Sequence, residues 1–186
     1  PCREHSPLIQ QQGMFQCSKA KCIHSREENW FSNVGDVPIL ISEEKCDTVC
    51  SAVQSTTYVD RAEPSKTRAF FKYLLQGESR VTLENCSTFV DLLTSKSKKN
   101  TVLVIGAGER GSGTEKLFSS ENISIVGTDI YYSDAVDFIA DAHYLPFANE
   151  VFDGVWIQAV LEHVVDPRLV VSEIHRVLKL HGIVYA

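Results

Sequence analysis

Four consecutive apolar residues, Val102-Leu-Val-Ile105, run straight into Gly106-Ala-Gly-Glu-Arg-Gly111. No polar residue alternates with the apolar ones, so the run predicts a strand buried on both faces, as in a parallel sheet covered by helices. Gly106, Gly108 and Gly111 stand at G-x-G-x-x-G spacing. Glycine has no Cβ, so the backbone can turn sharply and a ligand can lie against it. Ser112 to Phe118 is expected to continue the turn as a helix. The free N–H groups and partial positive charge at a helix N-terminus suit a carboxylate or phosphate. Taken alone, the motif leaves two readings equally open, a nucleotide-type site and a plain strand-to-helix connection.

The residues that follow separate the two. Ile123 to Thr128 reads as a second strand ending at Asp129. A carboxylate about 20 residues past such a turn can accept both hydroxyls of a ribose. The competing reading of Asp129 is a cap or turn residue. Phe152 to Ile157 reads as a further buried strand. Asp166 and Pro167 fit a helix cap followed by proline at the first helical position. Val170, Ile174, Val177 and Leu178 make a helical stripe, Gly182 ends that connection, and Ile183 to Ala186 begin another strand. Strands alternating with helices predict an α/β fold, a doubly wound parallel sheet with right-handed crossovers. The ligand is then expected outside the carboxyl ends of the strands, where Gly106, Asp129, Asp141 and Gln158 all fall.

Three stretches carry a resemblance: Ile139-Ala-Asp-Ala-His-Tyr-Leu-Pro-Phe147, Val151-Phe-Asp-Gly-Val-Trp-Ile-Gln-Ala-Val-Leu-Glu-His163, and Glu173-Ile-His-Arg-Val-Leu-Lys-Leu-His-Gly-Ile183. As a set, from Val102 to Ala186, they resemble the Rossmann-like class I S-adenosylmethionine-dependent methyltransferases, in particular the small-molecule group. The resemblance implies S-adenosylmethionine as cofactor and in-line methyl transfer to an unidentified small-molecule acceptor. It implies cofactor contacts from Gly106, Ala107, Gly108, Asp129, Ile130, Asp141, Ala142 and Gln158. Asp141 would accept the adenine amino group and the Ala142 N–H would meet the ring. Leu161 to His163 would end the fourth strand. His163 is the candidate base if the acceptor must lose a proton, because histidine titrates near neutrality. The competing reading of His163 is a structural residue at a strand-to-helix junction.

Glu162 is a weaker candidate for the cofactor's methionine portion. Tyr131 and Tyr132 could pack on the adenine. Trp156 and Phe147 read as core, and His143, His175 and His181 as surface or turn residues. Three departures stand out. Val104 holds the place, two before the first glycine, where the family usually carries an acid. Leu180 and His181 replace the proline and glycine before the fifth strand. The sequence stops at Ala186, so the sheet is expected to be C-terminally incomplete beside its relatives.

The first hundred residues divide into two expected parts: residues 1–60, a small cysteine-bearing segment and linker, and 61–100, a helical connector or lid. Five of the six cysteines lie in residues 1–50. "FQCSKAKC" leading into "FSNVGDVPILIS" resembles the zinc-ribbon-like segment that precedes some methyltransferase domains. Cys17, Cys22, Cys46 and Cys50 are the candidate ligands for a zinc ion, although the first pair is wider than the usual knuckle. A metal-free remnant is the alternative. Pro38 confines Val37 to Ile41 to an edge or strand start. Two helices are expected before the core, one with Phe70, Phe71, Leu74 and Leu75 on a face, the other with Cys86, Phe89, Val90 and Leu93.

A net charge of −6 argues against a broad nucleic-acid footprint. No apolar run reaches membrane length or forms a signal-peptide core, which gives a cytoplasmic expectation. Two rival functions remain at this stage. One is an NAD-dependent oxidoreductase built on the same turn. The other is a non-catalytic interaction module that keeps the fold.

Overall fold

A computed structural model describes residues 7–11, 14–22, 26, 31–41 and 80–186. The helix expected around Phe70 to Leu75, and Cys46 and Cys50, lie outside the described residues.

The centre is β5 (Asn100–Ile105). Val102, Leu103, Val104 and Ile105 are each at most 5% exposed. Val102 and Val104 belong to one apolar core, Leu103 and Ile105 to the other. The unbroken apolar run therefore marks a strand covered on both sides, as the sequence predicts. β5 pairs in parallel with β6 (Ile123–Asp129) on one flank and β8 (Phe152–Ile157) on the other. β7 (Phe138–Ile139) lies outside β6, and β9 (Leu178–Tyr185) outside β8. The order is β7-β6-β5-β8-β9, all parallel. The chain works outward from β5 to β7, then jumps back across to β8, so the order reverses beside β5.

Helices cover both faces, which makes the sheet doubly wound and Rossmann-like. Helix α1 (Arg80–Lys96) lays Cys86, Phe89, Val90 and Leu93 on the first face. The short α2 (Glu115–Ser119) adds Leu117 there. Phe89 meets Trp156 edge-on at 5.3 Å, and Trp156 stacks on Tyr185 at 3.9 Å. Helix α3 (Pro167–Val177) covers the second face with Val170, Ile174 and Val177. Its start is the predicted one: the Asp166 carboxylate accepts the N–H groups of Arg168 and Leu169.

Ahead of this unit stand two hairpins, β1 (Leu8–Gln11) with β2 (Met14–Cys17) and β3 (Asn33–Val34) with β4 (Val37–Pro38). Past Pro38 the chain docks on the β7 edge: Ile39 bridges Ile139 in parallel, and the Leu40 N–H donates to the Ile139 carbonyl at 2.7 Å. That contact shields a sheet edge that would otherwise offer unpaired backbone groups. No helix among the described residues is long and apolar enough to cross a membrane.

Three local expectations are corrected. The helix after the glycines begins at Glu115 rather than Ser112 and has five residues. Gly113 takes a left-handed φ of 88°, and the Thr114 hydroxyl donates back to the Gly111 carbonyl at 2.6 Å. These hold the segment as an open loop, so no long helix dipole points at the glycine turn. Leu161–His163 does not end the fourth strand. That strand stops at Ile157, and Leu161–His163 is a separate 3-10 turn beyond Ala159, whose φ of 53° breaks the extended run. The last strand follows α3 directly, but its pairing skips from Leu178 to Ile183, with His181 at φ 64° in the looped-out part. Leu178, expected on the helical stripe, instead starts this strand and pairs with Phe152, and the pairing resumes past a bulge at Ile183, where the strand was expected to begin.

Candidate functional site

The carboxyl ends of β5, β6, β7 and β8 form one rim, because Ile105 is level with both Thr128 and Ile157, and Asp129 with Ile139. The glycine turn rises from β5 at this rim. Gly106 has φ 79°, a conformation open to glycine and strained for other residues. The N–H groups of Gly106 and Ala107 both donate to the Thr128 carbonyl, at 2.9 and 3.1 Å. The turn is thereby folded down onto β6, with Ala107 buried.

Asp129 clamps the next residue. Its Oδ2 accepts the Gly108 N–H at 2.9 Å and its Oδ1 accepts the Tyr131 N–H at 3.1 Å. Each carboxylate oxygen has a second lone pair, so the clamp leaves acceptor capacity on both. A Cβ at Gly108 would stand 2.7 Å from Oδ2, so a glycine is what lets the carboxylate reach the turn. Ile130 follows, half-buried.

Asp141 sits one strand further out. The Ala140 N–H donates to the Asp129 carbonyl at 2.9 Å, which fixes the two aspartates on neighbouring strand ends. Asp141 is 7% exposed and caps the 3-10 turn Ala142–Tyr144. Its Oδ1 accepts the His143 N–H at 2.9 Å and lies 2.6 Å from Nδ1 of the same histidine. Ala142 is buried beside it.

The other wall comes from the loop after β8. Gln158 presses on Gly111, where an added Cβ would stand 2.8 Å from its Oε1, and Val160 presses on Gly106. Gln158 Oε1 is buried and takes no hydrogen bond. A buried acceptor without a donor is rare and costly, about 1–3 kcal/mol. It lies against Gly111 just past the carboxyl end of β8, beside β5, where the strand order reverses and open α/β sheets take their ligands in a crevice. The crevice thus combines two acidic acceptors toward β7 with one neutral unsatisfied acceptor toward β8. This set suits a ligand that brings hydroxyl and amino donors, and S-adenosylmethionine carries both.

Gly106, Ala107, Gly108, Asp129, Asp141, Ala142 and Gln158 are therefore brought to one rim. His163 lies on the same loop as Gln158 but is exposed, its N–H donating to the Val160 carbonyl at 2.9 Å. Glu162 is exposed as well. Val104 points into the core with 5% exposure. Of the candidate zinc ligands, Cys17 is buried with its Sγ 3.5 Å from the Lys19 N–H, and Cys22 is half-buried. Among the described residues no group of three His, Cys, Asp or Glu side chains is placed to hold a metal.

His143, read as a surface or turn residue, does lie in the 3-10 turn Ala142–Tyr144, but its side chain is 12% exposed and bonded across the fold. Its Nε2 accepts the Asp166 N–H at 3.1 Å, across 23 residues of chain. The only local hint is its place two residues after Asp141, the spacing at which an aspartate binds its own turn.

Comparison with curated proteins returns no match. Solved structures do match, over part of the chain. The YcgJ protein of Bacillus subtilis is 25% identical, with 52% of this chain and 47% of that one covered and a TM-score of 0.39. A candidate S-adenosyl-L-methionine-dependent methyltransferase of Methanococcus maripaludis is 16% identical, with 62% and 58% covered and a TM-score of 0.47. The (4+2)-cyclase SpnF is 26% identical, with 52% and 42% covered and a TM-score of 0.41. The chain spans about half the length of these structures. Residues 103–186, which hold the whole rim just described, match the family described as "Methyltransferase domain".

Proposed function

We propose that this protein binds S-adenosylmethionine at the β5–β8 crevice and transfers its methyl group to a small-molecule acceptor. The observation that carries the reading is the buried, unpartnered Oε1 of Gln158, facing a glycine turn whose opposite side is held by Asp129. Asp129 serves the ribose hydroxyls with the lone pairs its backbone clamp leaves over. Asp141 serves the adenine amino group. Gln158 accepts from the ammonium of the methionine portion. Ile130 and Ala142 supply apolar contact on the adenosine side, and the family match over 103–186 supports the assignment.

The cofactor supplies a methyl group already activated by a positive sulfur. The chain's own task is to align donor and acceptor and to exclude water. The loop that carries Gln158 and Val160 also carries His163, which takes the acceptor's proton where one must leave.

Titration calorimetry of the full chain with S-adenosylhomocysteine and, separately, with NAD tests the proposal. Binding of the homocysteine product, weakened about tenfold or more in Asp129→Ala, is the expected result. Binding of the dinucleotide alone, or of neither ligand, overturns it.

A further inference from the structure

The Nε2 atom of His143 receives the backbone N–H of Asp166. A peptide N–H can only donate, so Nε2 must present its lone pair. The ring proton then sits on Nδ1, the nitrogen 2.6 Å from Asp141 Oδ1. Two donors thus converge on that one oxygen, the His143 backbone N–H and the His143 ring N–H. The carboxylate is pinned through Oδ1 and kept as an acceptor. Asp166 in turn caps α3 through Arg168 and Leu169, and it closes the loop that begins at Gln158. A single imidazole therefore ties the end of β7 to the far end of the β8 loop.

We propose that His143 is a positioning residue that makes Asp141 selective for a purine bearing an exocyclic amino group. This rests on the reading of the crevice as an adenosyl site. A carboxylate held as an acceptor rewards a donor at that purine position and repels an oxo group. Without the ring, Asp141 keeps only its own turn N–H and can rotate to suit either base.

The test compares the full chain with His143→Asn, His143→Gln and His143→Leu. Each is titrated with S-adenosylhomocysteine and with its deaminated analogue, S-inosylhomocysteine. Asparagine places an amide N–H near Nδ1 and keeps the Asp141 bond. Glutamine places an amide oxygen near Nε2 and keeps only the Asp166 bond. The wild type and His143→Asn should favour the adenine ligand. His143→Gln and His143→Leu should bind it about tenfold more weakly and lose most of the discrimination. Long-range proton–nitrogen correlation on the wild type should show Nδ1 protonated and Nε2 bare.

A histidine with a merely structural role would weaken both ligands equally, and that result overturns the proposal. So does unchanged affinity in His143→Leu, or a ring protonated on Nε2. Should His143→Leu fail to fold, the asparagine–glutamine contrast and the wild-type tautomer still decide. A wild type that binds neither ligand instead overturns the adenosyl reading on which this rests.

Discussion

Substituting Gly108 by alanine tests the site through a single methyl group. The added Cβ would stand 2.7 Å from Asp129 Oδ2 and 3.3 Å from its Cγ. Gly108 does not have a left-handed φ, so the backbone itself tolerates alanine. The collision has to be relieved by the carboxylate, which swings away and loses the 2.9 Å bond from the Gly108 N–H. A hydrogen bond to a charged group contributes about 1.5–3 kcal/mol. The pair is part-buried, so the lower half of that range is expected, a fall in Tm of about 3–9 °C for a chain of this size. The larger effect falls on the ligand, because the displaced carboxylate is the group assigned to the ribose. Affinity for S-adenosylhomocysteine should drop by about tenfold or more.

Gly111→Ala is the built-in comparison. Its Cβ would meet the Gln158 amide and leave the Asp129 carboxylate in place, so the Gly108 N–H bond is kept and its loss of affinity should run through Gln158 alone. Calorimetry on Gly108→Ala, Asp129→Ala and the double variant closes the cycle. If the methyl acts through Asp129, the double variant binds no more weakly than Asp129→Ala alone. Additive losses in that cycle, or Gly108→Ala binding like the wild type, would refute the assignment of Asp129.

Other expectations follow from the scaffold. Arg176 donates to the carbonyls of Leu145 and Phe147, to Asn149 and to both oxygens of Glu173, whose Oε2 also accepts the Leu145 N–H. Arg176→Leu should cost about 2–4 kcal/mol in urea unfolding, because it takes the cation from a part-buried carboxylate and a donor from each of two carbonyls. Burial pushes the Asp153 carboxyl up, but the hydrogen bonds from Lys179 and the Thr101 N–H, with the Lys179 charge, outweigh it and hold it below its ordinary value. A depressed folded value means stability that is present above the unfolded pKa, about 3.9, and is lost as pH falls through the folded one. The stability gap between wild type and Asp153→Asn, measured by denaturant unfolding, should therefore be full at neutral pH and close only in that acid range. Burial raises the Cys86 pKa, against a smaller lowering by its Leu117 backbone hydrogen bond. Its thiol, 0% exposed, should resist alkylation in the native state and react only on unfolding, as peptide mass spectrometry would show.

What could be read in advance was whatever repeats along the chain or sits at a fixed local offset. The two-sided burial of β5 lies in its unbroken apolar run. The α1 face lies in the spacing of Cys86, Phe89, Val90 and Leu93, and the α3 start in Asp166-Pro167. Asp129 and Asp141 were found by their distance from the glycines and by the Leu-Pro-Phe element, and both stand on the rim. What escaped depends on bonds between segments far apart in sequence. His143 looks like a turn residue until Asp166 arrives from 23 residues away. The delayed start of α2 follows from one left-handed glycine and one hydroxyl-to-carbonyl bond, which hydrophobic periodicity does not register. The 3-10 geometry of Leu161–His163 depends on the positive φ of Ala159, an alanine that no propensity scale marks for that conformation.

Val104 and Gln158 together give the last test. The resembling family carries an acid at the Val104 position, but here that side chain lies in the apolar core under α1 with 5% exposure. A carboxylate there would face burial without a partner, so Val104→Glu should destabilise the fold rather than improve binding. In the proposed site the acceptor comes instead from the loop after β8, as Gln158 Oε1. Gln158→Leu removes an unsatisfied buried oxygen, so the free protein should be as stable as the wild type or slightly more so. Its ligand binding should suffer selectively. S-adenosylhomocysteine, which carries the ammonium, should bind about tenfold more weakly, while methylthioadenosine, which lacks the amino acid, should bind as before. Asp129→Ala should weaken both, because both carry the ribose. Equal losses for the two ligands in Gln158→Leu would mean that Gln158 packs the glycine turn and does not read the cofactor.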